Sequence, residues 1–92
     1  MTRDIEQTAK FRRDYKRESR SDPKVKELLV LVLDLLVNDE KLPERLRDHA
    51  LTREWRGFRD CHLKPDLVLI YAKVGNTDLK LVRLGSHSEL FS

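Results

Sequence analysis

The sequence predicts an α+β domain of β-α-α-β-β-β order, with two N-terminal helices packed on one face of a small antiparallel-rich sheet. Three observations carry this. Apolar residues recur at spacings of three and four between Val25 and Leu36, the period of a helix. Runs rich in β-branched and aromatic residues, bounded by turn residues, fill the second half of the chain. A length of 92 residues supports one modest core, so a single domain spans 1–92.

Taken in order, TRDIEQ (Thr2 to Gln7) alternates weakly, as a short first strand does. From Thr8, TAKFRRDYKRESR sets Phe11 and Tyr15 four apart, on one helical face, with no Gly or Pro to interrupt. Ser21-Asp22-Pro23 then supplies an N-cap and a proline at the first helical position, and Val25, Leu28, Leu29, Val32, Leu35 and Leu36 form the buried stripe of a second helix. LPERLRDHALTRE (Leu42 to Glu54) has no clean period and reads as a connecting loop with a turn of helix after Pro43. Three strands follow, at WRGFRDCH (Trp55 to His62), LVLIYAKV (Leu67 to Val74) and LKLVRLG (Leu79 to Gly85), joined by turns at LKPD and GNTD. Helices that pack on one face of such a meander leave the other face open for function.

Composition narrows the class. Lys and Arg number 19 against 16 Asp and Glu, a net charge of +3, and the pI is near 9.2, a mild basic bias that suits a polyanionic partner. The one cysteine, Cys61, excludes an intrachain disulfide, and Met1 to Lys10 shows neither signal nor transit pattern, so a cytoplasmic location is expected. The longest apolar run, Leu28 to Val37, is about half of the roughly 20 residues that span a bilayer and contains Asp34. No membrane partner is expected.

The residues placed at strand ends and in loops are His49, His62, Asp66, Arg83, His87 and Phe91. Imidazole exchanges protons near neutrality, so a cluster of histidines can deprotonate a ribose 2′-hydroxyl and protonate the departing 5′-oxygen, with no cofactor. Three unrelated surface histidines are the simpler account of the residues taken alone. Three His with Asp66 also make a zinc-type ligand set, but the histidines lie 13 and 25 residues apart and lack the close pair that anchors such sites. Cys61 and His62 point to opposite faces of a strand, so they form no dyad and Cys61 belongs to the core. KFRRDYKRESR (Lys10 to Arg20) carries six basic residues against two acids, either a phosphate-binding face or a solvated helix surface. Val30, Leu33 and Val37 form a second apolar stripe on the second helix, either a partner face or deeper core.

Read together, RLRDHAL, EWRGFRDCHLKPDLVLIY and LVRLGSHSELF (between Arg45 and Phe91) closely resemble the YafQ group of RelE-superfamily toxins. The resemblance implies a RelE-like fold and an endoribonuclease, an mRNA interferase that cuts mRNA on the ribosome by metal-independent acid-base catalysis. It implies as partners the ribosome, mRNA and a DinJ- or RelB-like antitoxin, with DNA contacted only through the antitoxin complex. It assigns acid-base roles to His49, His62 and His87 and leaves open which is acid and which is base. His87 is expected as the general acid and His49 as the leading general base, with His62 orienting the substrate or sharing the base role. Asp66 would fix the tautomer of His62, Arg83 would stabilise the phosphorane and Phe91 would pack or stack beside His87, which a Gly85 turn holds. The group often has tryptophan after the aspartate, and Leu67 there keeps apolar surface while losing most of the stacking on a base. A ParE-like toxin that inhibits by binding is the alternative on the same scaffold.

Overall fold

In a computed structural model, which describes residues 2–91, Thr8 separates the first strand, β1 (Asp4–Gln7), from the first helix, α1 (Ala9–Ser21). The Thr8 hydroxyl accepts from the Phe11 N–H at 3.0 Å, capping the helix, and donates to the Val82 carbonyl at 2.8 Å. Phe11 and Tyr15 stack on one face at 6.3 Å, as their spacing requires. Asp22 both ends α1 and begins α2 (Lys24–Val37): its N–H donates to the Glu18 carbonyl and its carboxylate accepts from the Lys24 N–H, each at 3.0 Å. Ser21 is the last residue of α1.

A 3-10 turn at Glu44–Leu46 follows Pro43, as expected. The chain then forms a two-residue strand that the sequence did not predict, β2 (His49–Ala50), and a second 3-10 turn at Arg53–Trp55. The strand expected from Trp55 begins only at Arg59, because Gly57 adopts φ 93° and Trp55 and Phe58 fold together edge-on at 5.5 Å. The remaining elements are β3 (Arg59–Lys64), β4 (Leu67–Val74), β5 (Asp78–Gly85) and a short helix, α3 (His87–Phe91). The sheet order is β1-β5-β4-β3-β2, antiparallel except for the parallel β1–β5 pair.

Helices α1 and α2 cover one face. Phe11, Val25, Leu29, Val32 and Leu36 pack there against Cys61, Leu69, Tyr71, Leu79, Leu81 and Leu84, and burial pushes the Cys61 thiol far up, away from nucleophilic chemistry. Leu67 is part of this core, which overturns its expected place on the substrate face. The second apolar stripe divides: Leu33 and Val37 pack on the core's edge, whereas Val30 stays 57% exposed and its neighbour Leu31 64% exposed. The other sheet face is only partly open. Val68, Ile70 and Leu90 make a small second cluster there, flanked by Leu51, Trp55, Phe58, Val82 and Phe91, so α3 closes over one part of it. Among the described residues no helix is long and apolar enough to cross a membrane.

Candidate active site

Cross-strand pairing lines up residues that are far apart in sequence. His49, Asp60, Ile70 and Arg83 are successive partners across β2, β3, β4 and β5, and His62, Val68 and Gly85 form the next row. His87 follows Gly85 by two residues and opens α3, whose Leu90 packs on Val68 and Ile70. Three histidines separated by up to 38 positions thereby reach one patch.

At the centre of that patch is Asp60, only 2% exposed and within electrostatic reach of His49, His62 and His87 together. Its Oδ1 has no hydrogen-bond partner. Burial pushes its carboxyl above the usual carboxylate range, and the imidazoles oppose this when they carry protons. Asp60 was not among the expected site residues. The available signal was its place in RDCHLK, two residues before His62, the spacing that puts two strand residues on one face.

The histidine tautomers follow from their partners. His49 Nδ1 lies 2.8 Å from the Arg47 carbonyl and 3.1 Å from Asp60 Oδ1, both acceptors, so Nδ1 carries the proton and Nε2 is left for chemistry. His62 Nδ1 lies 3.3 Å from the Pro65 carbonyl and is set the same way. The role expected of Asp66 toward His62 thus belongs to a backbone carbonyl, and Asp66 itself is exposed at the β3–β4 turn. The approach to β2 is held by Asp48, which accepts from the Tyr71 hydroxyl and from Arg59 Nε and Nη2 at 3.2 Å each.

His87 is exposed and leans on Phe91 with ring centroids 4.8 Å apart, and Phe91 meets Trp55 at 6.2 Å. Ser86 caps α3 by accepting from the Glu89 N–H at 3.2 Å. Gly85 is not the expected turn: it lies in β5 without a positive φ, and a Cβ there would run into the Glu89 carboxylate and come within 3.3 Å of Leu90 Cδ2. Its absent side chain lets α3 lie close against the strand.

Arg83 is engaged. Between Ile70 and Tyr71 the β4–β5 register shifts, leaving Val82 unopposed and packed in the second cluster, while the Arg83 guanidinium binds the α1 residue Asp14. Asp14, 3% exposed, accepts from Arg83 Nε at 2.8 Å, Arg83 Nη2 at 3.3 Å and the Leu84 N–H at 3.0 Å. Arg17 adds contacts to Asp14 at 3.4 Å and to Glu89 at 3.1 Å. The end of β5 and the start of α3 are therefore both tied to α1. Nothing in the sequence marks Asp14, since one of two acids among six bases looks like ordinary surface charge.

Among the described residues no group of three or more His, Cys, Asp or Glu is arranged to hold a metal ion. The patch instead offers two imidazoles with oriented Nε2 atoms, a third at a helix start and a buried carboxylate between them. Residues 3–92 match the family described as "Bacterial toxin of type II toxin-antitoxin system, YafQ". The chain belongs to this YafQ family. It is similar to the mRNA interferase toxin YafQ of Escherichia coli (strain B / BL21-DE3), 37% identical over 89 residues that cover 97% of this chain and 96% of the relative. The E. coli DinJ-YafQ toxin-antitoxin complex contains a chain 34% identical to it, with a TM-score of 0.83 and full coverage of both chains. A metal-bound toxin from Helicobacter pylori is 43% identical, with a TM-score of 0.87 over 99% of this chain and 100% of that one.

Proposed function

We propose that this member of the YafQ family is the toxin of a type II toxin–antitoxin pair and cuts mRNA on the ribosome by histidine acid-base catalysis. The observation that carries the reading is the convergence of His49, His62 and His87 on buried Asp60. In the proposed reaction His49 Nε2 takes the proton of a ribose 2′-hydroxyl, and that oxygen attacks the adjacent phosphorus. His87 gives a proton to the departing 5′-oxygen, so the products are a 2′,3′-cyclic phosphate and a free 5′-hydroxyl. Asp60 stabilises the imidazolium that forms on His49, through the 3.1 Å contact at Nδ1.

His62, held by Pro65, orients the substrate or shares the base role. Arg83 uses two of its nitrogens on Asp14, which orients the guanidinium and leaves Nη1 for a phosphoryl oxygen. Phe91 supports the His87 ring. On α1, Arg13, Lys16, Arg17 and Arg20 line a shallow basic cleft suited to ribosomal RNA, Arg17 also donating to the Leu84 carbonyl and Glu89, while Arg12 donates to the Gln7 carbonyl. A DinJ-like antitoxin is the cognate protein partner, and the exposed Val30 and Leu31 offer it apolar surface.

The test is cleavage of mRNA on programmed ribosomes, with cut sites and end groups mapped. His87→Gln, at an exposed position, should fold normally and cut about 10²–10⁴-fold more slowly. Protein stripped by a chelator should still cut if the ribosomes keep their magnesium. Intact mRNA with wild-type protein would refute the enzyme reading in favour of a toxin that acts by binding.

A further inference from the structure

A cleft of about 340 Å³ lies at the edge of the acid-base cluster, with His62 in its lining. Its rim is cationic: Arg45 from the 3-10 turn, Arg47 and Lys64 face it, and no acid lines it. Lys64 is neutralised by Asp22 at 2.8 Å, but among the described residues neither Arg45 nor Arg47 has a carboxylate within ion-pair distance. Leu46, Leu63 and Pro65 supply an apolar floor.

Arg47 carries a second observation. It holds the left-handed conformation, φ 49° and ψ 43°, which is strained for a residue other than glycine. That conformation aims its carbonyl at His49 Nδ1, and the same residue lines the cleft. Glycine would satisfy the backbone, so an arginine here points to a use for its charge.

We propose that the cleft is a subsite for the mRNA nucleotide next to the scissile phosphate. Arg45 and Arg47 neutralise that nucleotide's phosphate, and its base or ribose lies on Leu46 and Pro65. An apolar floor under an unpaired cationic rim matches the two halves of a nucleotide, and contact with His62 makes the subsite continuous with the reaction centre. The inference rests on the mRNA reading, so its test must report separately.

Programmed ribosomes would carry mRNA whose cleaved nucleotide lacks its 2′-hydroxyl, so that binding is measured without cutting. Affinity for wild type, Arg45→Gln and the Arg45→Gln, Arg47→Gln pair would be followed against salt, using intact mRNA and mRNA made abasic on either side of the cut. Arg45→Gln leaves the residue that holds His49 untouched, and circular dichroism checks that each variant is folded. The double variant should lower the slope of log affinity on log salt by about 0.7, the share of one lost single-strand phosphate contact. An abasic position on one side should weaken wild type about 5- to 30-fold, and the double variant distinctly less. An unchanged salt slope overturns the proposal. So does an abasic penalty equal in both proteins, which would assign the arginines to ribosomal RNA. Cleavage of ordinary mRNA by wild type, run alongside, reports on the enzyme reading itself.

Discussion

Replacing Asp60 with asparagine should make the protein more stable and less active. Asp60 is 2% exposed and its Oδ1 accepts no hydrogen bond, so its charged form loses hydration that the 3.1 Å approach of His49 restores only in part. Such a buried group costs about 1–3 kcal/mol. The carboxyl is raised above its usual range, first by burial, with the three imidazoles opposing. A carboxyl raised on folding adds stability below its unfolded value of about 4, and that stability is lost as pH climbs through the folded value. Asp60→Asn should therefore gain about 1–2 kcal/mol at pH 8, or about 4–8 °C in Tm for each kcal/mol in a domain of this size. The gain should shrink as pH falls, because protonated imidazoles then favour the carboxylate, and should vanish once the carboxyl itself is protonated. Thermal unfolding by circular dichroism from pH 4 to pH 8 measures this. Single-turnover cleavage on ribosomes should fall at least about tenfold with the loss of the imidazolium's partner. A variant less stable than wild type at pH 8 would show that the carboxylate stabilises the fold. Full activity would remove it from the reaction.

Gly85→Ala should push aside the exposed Glu89 carboxylate and press on Leu90, breaking the Arg17–Glu89 contact and costing about 1 kcal/mol or less in denaturant unfolding; a larger loss would show that α3 cannot give. Asp14→Asn removes the charge that Arg83 and the Leu84 N–H share, so urea unfolding should show a loss of about 3 kcal/mol, and unchanged stability would mean that Arg83 finds another partner. Leu33→Ala should cost about 2 kcal/mol at the core's edge, whereas Leu31→Ser should stay within about 0.5 kcal/mol of wild type and weaken antitoxin binding in titration calorimetry. Unaltered antitoxin affinity for the latter would place the partner elsewhere.

Periodicity by itself determined the local elements of this protein. The spacing in KVKELLVLVLDLLV specifies α2, the apolar run LVLIYAKV and the turn GNTD specify the β4–β5 hairpin, and Phe11 with Tyr15 specifies the buried side of α1. The three histidines were also visible as residue types able to move protons near neutrality. Tertiary structure decided what surrounds them. No local pattern encodes that β2 pairs His49 with Asp60, that the β4–β5 register shifts at Ile70, or that Gly85 leaves room for α3. Backbone pairing and close approach depend on partners distant in the chain. The same holds for charge: Asp14 and Asp60 read as ordinary acids in a sequence that is 38% charged, and they became distinctive when folding removed them from water. Burial, which sets a carboxylate's cost and its partners, is a property of the packed chain rather than of the residue.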